Sequence, residues 1–224
     1  KFGAPFLKAV MPRAYIDLNR GSDELDPAVI SGIVSRSRNN RISSGLGVIP
    51  RVVGNGKEIY KGKISQAEAE IRILNYWRPY HLVLKKLMTE THKKFGTAIL
   101  IDCHSMPTLP NYSGPKQLQK MPDIILGDRF GGSADRDIVD KIESIFVREG
   151  FSVGRNVPFS GAFITKEYGL PSSNRHALQI EIRRSLYMKE ETLCLNDNFN
   201  YFKDIFGYIL GQIAKIGEIS KPVG

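Results

Sequence analysis

The chain combines two hydrophobic patterns, one with helical spacing and one in short continuous runs. The clearest helical pattern follows Ser65, which forms a capping box with Glu68 and predicts the start of a helix. Apolar and aromatic side chains then recur at helical spacing, at Ile71, Leu74, Trp77, His81, Leu84 and Met88. Gly96 ends the pattern. We therefore predict a long amphipathic helix from Ser65 to about Lys94, bent at Pro79.

The apolar run at residues 97–102 follows this helix and has the character of a strand buried on both faces. Helical and strand patterns then alternate. In order they predict a strand at 124–126, a helix at 135–149, strands at 151–153 and 177–182, and a helix at 198–216. Strands separated by helices predict an α/β fold whose sheet is covered by helices on both sides.

The beginning of the chain carries weaker patterns. Residues 14–18 predict a short strand, and residues 28–34 predict a short helix after Asp26 and Pro27. Residues 43–56 predict a glycine-rich loop with a strand at 48–53. The length of 224 residues is sufficient for one large core, so we predict a single domain over residues 1–224.

Composition and charge narrow the class of protein. The chain is 42% hydrophobic, and its apolar runs are far shorter than the roughly 20 residues that span a bilayer. Residues 1–10 lack the apolar run of an export signal, so we expect a cytoplasmic protein. The net charge of +9 is dispersed and lacks the interleaved aromatic residues of a base-stacking surface. We expect no nucleic-acid or membrane partner, although a positive field would favour encounter with an acidic substrate.

Cys103 and Cys194 are far apart in the chain and have no CxxC spacing. Neither a disulfide framework nor a cysteine-based zinc site is therefore predicted. We expect both cysteines to be small buried hydrophobic side chains in a reducing compartment.

Polar residues at the carboxyl ends of strands are candidate site residues, because ligands of open α/β sheets bind there. Asn19 and Arg20 follow the first predicted strand, and His104 follows the run that ends at Asp102. Glu181 lies near the end of the predicted strand at 177–182.

His104 is the most informative of the four histidines. A neutral imidazole suits zinc, and Asp102 two residues earlier could orient the ring. A single histidine can equally be structural. His81 and His92 lie in the long predicted helix, where packing or surface roles are expected, and His176 is ambiguous.

Glu181 lies between two isoleucines, where an unpaired carboxylate would be costly to bury. Such a carboxylate could take a proton from water and pass it to a departing nitrogen. The alternative is a carboxylate paired with Arg183 or Arg184. Arg20 and Arg51 follow short apolar segments and offer the fork geometry that grips a carboxylate, or are ordinary structural arginines.

Four segments of the chain are specific in combination. They are PRAYIDLNR at residues 12–20, GLGVIPRV at 45–52, IDCHSMP at 101–107 and HALQIEI at 176–182, with RPYH at 78–81 between the second and the third. Together and in this order they resemble the N-formylglutamate amidohydrolase family, which is similar in fold to zinc carboxypeptidases. The resemblance implies a three-layer α/β/α fold with a mixed, mainly parallel sheet.

The resemblance also implies a reaction. We expect zinc-dependent hydrolysis of N-formyl-L-glutamate, or of a related small acidic N-acyl amino acid, to formate and the amino acid, as in histidine degradation. His104 would be a ligand of one Zn²⁺, and Glu181 would be the catalytic general base. Asn19 and Arg20 would hold a carboxylate or carbonyl oxygen of the substrate.

Arg51 and Tyr168 complete the implied substrate contacts, Arg51 at a second carboxylate and Tyr168 in the pocket wall.

Two departures from the family pattern accompany the resemblance. The segment 161–163 has Gly-Ala-Phe where relatives tend to have paired glycines and a tyrosine. No Pro-His-Ser-Gly-like segment with the first metal ligands precedes Asp17. We expect those ligands upstream of Lys1, with the chain lacking its N-terminal portion; the alternative is a degenerate member that binds zinc poorly.

Two other functions fit the same residues. One is a zinc amidase or carboxypeptidase that acts on peptide or cell-wall substrates. The other is a non-catalytic protein that uses Arg20 and the positive field to bind an anionic ligand. The residues leave open the acyl group, the metal identity and the oligomeric state.

Overall fold

The computed structural model describes residues 2–34, 40–53, 56–108 and 121–217 of the chain. Its contacts divide the chain into two compact units. We call Phe6–Leu87 the N-terminal unit, and Lys1–Pro5 with Met88–Gly224 the sheet unit. A division by contacts does not test whether either unit folds alone, so the single domain stays a prediction.

The helix that starts at Ser65 is confirmed. The Ser65 side chain accepts a hydrogen bond from the Glu68 N–H at 3.1 Å. A short helix, α1 (Asn40–Ser43), lies earlier in the chain. The predicted long helix consists of three consecutive segments: α2 (Gln66–Arg72), a π-helical turn (Ile73–Trp77) and α3 (Arg78–Phe95). Pro79 has no N–H to donate, and the wide turn lies just before it.

The π-helical turn changes which residues of this helix are buried. Ile71 and Leu74, which were predicted to face the core, are 50% and 47% exposed. Ala69 and Arg72 are buried instead. The prediction was wrong here because a π turn holds more residues than an α turn and shifts the buried face.

Three predicted elements of the N-terminal unit are absent from the structure. Residues 14–18, 28–34 and 48–53 form turns and bends, with isolated bridges such as Val52 to Glu58. Most apolar side chains there are buried, with Val34 and Val53 exposed. The backbone bonds go to single partners, as when the Asp17 N–H donates to the Val48 carbonyl at 2.7 Å. The apolar pattern therefore indicated burial without a strand ladder.

The sheet unit contains a mixed, mainly parallel sheet, as predicted. Its strands lie in the order β1-β4-β2-β3; β1 is parallel to β4, β2 is parallel to β3, and β2 is antiparallel to β4. The bounds, in chain order, are β1 (Ala98–Met106), β2 (Ile124–Gly127), α4 (Arg136–Arg148), β3 (Val153–Arg155), α5 (Phe163–Tyr168), β4 (Arg175–Arg183), the small antiparallel pair β5 (Met188–Lys189) and β6 (Cys194–Leu195), and α6 (Phe199–Ile216).

The two faces of this sheet differ in character. One face is apolar: Leu126, Leu178 and Ile180 pack in one cluster with residues of α4 and α6 such as Phe146 and Ile209. Because side chains alternate along a strand, the residues between them lie on the other face. That second face carries the candidate site.

Two further findings concern solvent and membrane. Cys103 and Cys194 are both exposed, so the expectation of buried thiols was wrong. Cys103 lies on β1, an edge strand of the described sheet, and Cys194 lies in the two-residue β6. Within the described parts of the chain, no helix has the length and apolar character needed to cross a bilayer.

Candidate active site

The register of β1 against β4 brings the main candidate residues together. His104 lies directly opposite Glu181, and Asp102 lies opposite Gln179. Paired residues of adjacent strands point to the same face, so these four side chains form one cluster, which we call the polar quartet. Asp102, Gln179 and Glu181 are 9%, 4% and 7% exposed. The imidazole and the carboxylate on which the hydrolase hypothesis depends are therefore neighbours on one face.

Hydrogen bonds within each strand orient the polar quartet. The Asp102 Oδ2 atom lies 3.0 Å from Nε2 of His104. Gln179 donates through Nε2 to Glu181 Oε1 at 2.7 Å. A carboxylate at Nε2 fixes the orientation of the imidazole ring. Both functional side chains are thus held by a neighbour two residues away.

Gln179 was missed by the sequence-based argument. A neutral amide gives no charge signal, and the strand pattern alone does not separate it from an ordinary polar residue. Its spacing from Glu181 was the available signal, because residues two apart on a strand share a face. In a buried site, an amide that donates to a carboxylate oxygen is the expected way to satisfy both groups.

The donor chemistry fits one part of a metal site. His104 offers an imidazole braced by a carboxylate, the usual arrangement around a zinc-binding histidine. Among the described residues, however, no group of three or more His, Cys, Asp or Glu side chains is placed to hold a metal ion. A catalytic zinc usually has three protein ligands. The described residues therefore supply only part of such a set.

Gly127 brings a loop close to the polar face. It pairs with Gln179, and a Cβ built on it would lie 2.7 Å from Gly161 N and 2.9 Å from Phe159 O. Only glycine permits this approach. Phe159 also packs against a buried cluster that contains Met106, a residue on the same face as the polar quartet. The segment 159–161 therefore lies against the face that carries the candidate site.

Tyr168 is the last residue of α5, which packs against β4 and β1. Tyr168 is half-buried. The sequence did not predict α5, because a six-residue helix is too short to show helical periodicity.

Asn19 and Arg20 belong to the N-terminal unit and are tightly held there. Arg20 donates through Nε to the Leu46 carbonyl at 2.9 Å and through Nη1 to the Asn19 carbonyl at 2.8 Å. The Asn19 N–H donates to Asp17 at 2.9 Å. Burial lowers the pKa of Arg20, and the nearby Asp17 carboxylate opposes this shift. An arginine fixed in this way is pre-oriented, and it keeps its charge near neutral pH.

Helix residues also anchor this segment. The Trp77 indole N–H donates to the Arg20 carbonyl at 2.8 Å, and His81 Nε2 lies 2.9 Å from the Leu18 carbonyl. His81 is 6% exposed, in agreement with the packing role expected for it.

Arg51 is paired with a buried carboxylate. Its Nε lies 3.2 Å from Asp26 Oδ2, and Asp26 is 4% exposed. This pairing favours the structural role that the sequence left open for Arg51. The arginines considered as alternative partners of Glu181 are also engaged: Arg183 with Asp123 at 2.5 Å, and Arg184 with the Ser105 hydroxyl at 3.2 Å.

Comparison with known proteins identifies the family. The model of the N-formylglutamate amidohydrolase family matches residues 1–188. The chain belongs to this family. The family assignment made from the sequence is confirmed, and so is the amidohydrolase class.

Named relatives agree with this family assignment. An N-formylglutamate deformylase from Pseudomonas putida is 31% identical over 208 residues, which cover 91% of this chain and 69% of that protein. The N-formylglutamate deformylase from Pseudomonas aeruginosa is 31% identical over 196 residues, with coverage of 85% and 67%. The crystal structure of an N-formylglutamate amidohydrolase from Ralstonia eutropha JMP134 superposes with a TM-score of 0.86 at 33% identity, covering 93% of this chain and 75% of that one. The likeness to zinc carboxypeptidases stays a prediction.

Proposed function

We propose that the protein hydrolyses the amide bond of N-formyl-L-glutamate and releases formate and L-glutamate. The observation that carries the proposal is the register that sets Glu181 opposite His104 in one buried polar cluster. The names of two relatives, both N-formylglutamate deformylases, support the choice of substrate. The expectations of a cytoplasmic enzyme without nucleic-acid or membrane partners belong to this proposal.

Glu181 acts as the general base and then as the general acid. It takes a proton from water, whose oxygen bonds to the formyl carbon, and it returns the proton to the nitrogen as the carbon–nitrogen bond breaks. The Gln179 amide donates to Oε1 at 2.7 Å and so holds the carboxylate in one orientation. General acid–base catalysis by one positioned side chain contributes roughly 10²- to 10⁴-fold.

We further propose that His104 would be a ligand of one Zn²⁺, with its imidazole oriented by Asp102 at Nε2. When bound, zinc would polarise the formyl carbonyl and lower the pKa of water. Among the described residues, His104 is the one candidate ligand argued for this ion, so they supply only part of a catalytic zinc set.

The metal content of the full-length protein tests whether His104 is a zinc ligand. Elemental analysis should give one zinc per chain, and His104→Ala should remove it. His92→Ala is the matched control, because His92 lies on α3, away from the polar quartet in the sequence, and should retain the metal. Full zinc content in the His104→Ala protein would contradict the assignment.

Substrate contacts in the N-terminal unit are proposed from the family resemblance. Asn19 and Arg20 would hold a substrate carboxylate or carbonyl oxygen, for which the fixed guanidinium fork of Arg20 is suited. Arg51 would be a second carboxylate contact, although its pairing with Asp26 weakens its candidacy. The resemblance implies that Tyr168 would line the pocket.

A substrate panel tests the proposed reaction. Formate should be released from N-formyl-L-glutamate by the full-length protein, and a panel of dipeptides and cell-wall peptides should remain intact. Cleavage of the peptides without formate release would favour the zinc amidase or carboxypeptidase alternative. Binding of acidic ligands with no hydrolysis of any substrate would favour the non-catalytic alternative.

A further inference from the structure

The turn that follows β2 has an unusual backbone. Arg129 and Phe130 have φ values of 56° and 56°, and Gly131 follows with 86°. Non-glycine residues rarely adopt this left-handed region, and two in succession persist only where the surrounding structure holds them. Phe130 is 75% exposed, so burial of its ring does not compensate the strain. Strained turns of this kind concentrate at ligand sites.

A buried pair of side chains holds the turn in place. Asn156 accepts hydrogen bonds through Oδ1 from the N–H groups of Asp128 and Phe130, at 3.1 Å and 3.2 Å. Its Nδ2 donates to Asp128 Oδ1 at 2.6 Å. The Arg129 N–H donates to the Ser160 carbonyl at 2.8 Å. The backbone at Arg129 is thus fixed from two directions, which also fixes where its side chain begins.

The side chain of Arg129 begins beside the loop that lies on the polar face. A Cβ built on Gly161 would be 3.2 Å from Arg129 Cγ. Gly161 in turn lies against Gly127, and Gly127 pairs with Gln179 of the polar quartet. Arg129 is therefore adjacent to the segment that covers the candidate site, within the same unit as Glu181.

In the part of the chain that the structure describes, the charge of Arg129 has no acidic side chain as its ion-pair partner. Among the described residues, none of the ion pairs within 4.0 Å involves Arg129. Arg155 and Arg183 of the same unit do have acidic partners, at Asp140 and Asp123. Arg129 is half-buried, so its cation is only partly exposed to water, and it lacks an ion-pair partner among the described residues. Such a cation is suited to an anionic ligand.

We propose that Arg129 binds the side-chain carboxylate of the substrate and so makes the enzyme specific for an acidic amino acid. This inference rests on the proposed deformylase function. The amide that is cut must lie at Glu181, and Gln179 lies two residues earlier on β4, a step of about 6 to 7 Å. β2 runs antiparallel to β4, and its residue Gly127 lies opposite Gln179. Arg129 follows Gly127, so the chain at Arg129 is further from Glu181 than Gly127 is. The distal carboxylate of the substrate suits this position better than the carboxylate next to the scissile amide.

The test compares N-formyl-L-glutamate with N-formyl-L-glutamine, which replaces the distal carboxylate by a neutral amide. Arg129→Gln keeps the aliphatic stem against Gly161 and removes the charge. It should lower kcat/KM for N-formyl-L-glutamate by about 10- to 100-fold, the range for a lost charged hydrogen bond, and change that for N-formyl-L-glutamine less than about threefold. Arg129→Lys should recover part of the loss, because it restores the charge without the fork.

Arg136→Gln is the matched control, because it removes one arginine charge from a side chain that is 88% exposed. It should leave both substrates unchanged, and unaltered thermal melting of Arg129→Gln shows that the fold is retained. Equal losses on the two substrates, or no loss on either, would overturn the role of Arg129. A wild-type protein that hydrolyses neither substrate would instead refute the proposed function itself.

Discussion

At the scale of single residues, the proposed chemistry of the candidate site depends on Glu181. Its carboxylate is 7% exposed, and Gln179 donates to one of its oxygens at 2.7 Å. A carboxylate held in this way has one oxygen oriented by the protein and is shielded from bulk water. Both properties suit a group that must accept and return one proton in a fixed direction.

Glu181→Gln tests this assignment, because glutamine keeps the shape of the side chain and removes the proton acceptor. We expect kcat for N-formyl-L-glutamate to fall by roughly 10²- to 10⁴-fold, the range for loss of a general base, while KM changes only a few-fold. Steady-state kinetics of formate release measures both constants. Glu191→Gln, at an exposed position, should behave as wild type. A variant at Glu181 with more than a tenth of the wild-type kcat would rule out its catalytic role.

The sequence predicted these residues to different degrees. His104 and Glu181 could be found because each is a polar side chain after or within an apolar strand. Gln179 and Arg129 could not, since one carries no charge and the other depends on a left-handed turn that composition does not reveal. Arg51 was singled out for its charge, and only the structure shows its partner Asp26.

At the scale of elements, close packing of loops on the sheet determines the shape of the site. Gly127, at the end of β2, has no side chain, and the backbone of segment 159–161 lies so close to it that a single added methyl group would collide. The polar face is covered at this point by backbone and not by flexible side chains. A small increase in side-chain size at Gly127 should therefore affect both the stability of the protein and the shape of the candidate site.

Gly127→Ala should destabilise the protein by about 1–3 kcal/mol, the usual cost of overpacking, because its Cβ would meet backbone atoms of the neighbouring loop. Gly207→Ala is the matched control. Gly207 lies inside α6 with no atom within 4 Å of its built Cβ, so alanine there should stabilise by about 0.5–1 kcal/mol. Urea unfolding measures both free energies. A Gly127→Ala protein as stable as wild type would show that the loop yields freely.

The start of α4 should make stability depend on pH. His176 Nδ1 accepts the Asp135 N–H at 3.3 Å, and His176 is 2% exposed. Burial lowers the pKa of His176 below its ordinary value of 6.5, and Asp135 partly opposes this. The unfolded chain therefore binds the proton first as the pH falls. This contribution to stability is complete above about pH 6.5 and is lost below it.

His176→Asn places an amide oxygen near the position of Nδ1 and removes the titrating group. Wild type should lose more unfolding free energy between pH 8 and pH 5 than this variant does, as urea midpoints at the two pH values would show. His92→Gln should retain the wild-type pH dependence. Identical losses in wild type and His176→Asn would exclude a role for His176 in the acid sensitivity.

The secondary-structure elements were predictable where apolar residues belong to regular strands and helices. The strands and helices predicted for the sheet unit occur in the predicted order, with ends shifted by a few residues, whereas the short α5, β5 and β6 were not predicted. In the N-terminal unit the predicted strand at 14–18 was wrong, because its buried residues pair through isolated backbone bonds. Periodicity reports burial, and long-range pairing decides whether burial produces a strand.

At the scale of the whole molecule, family membership and site geometry support the same reaction. The family model matches residues 1–188, which include both strands that carry the polar quartet. That agreement supports a hydrolase in which water attacks the formyl carbon while Glu181 moves the proton. The identity of the attacking oxygen is therefore the central point of the account.

Hydrolysis of N-formyl-L-glutamate by the full-length protein in water enriched in oxygen-18 tests this point most directly. Mass spectrometry of the products should find one labelled oxygen in the formate and none in the glutamate, because the water oxygen bonds to the formyl carbon. The Glu181→Gln protein should release little formate over the same time. Formate without label, or no formate from the wild-type protein, would contradict the account.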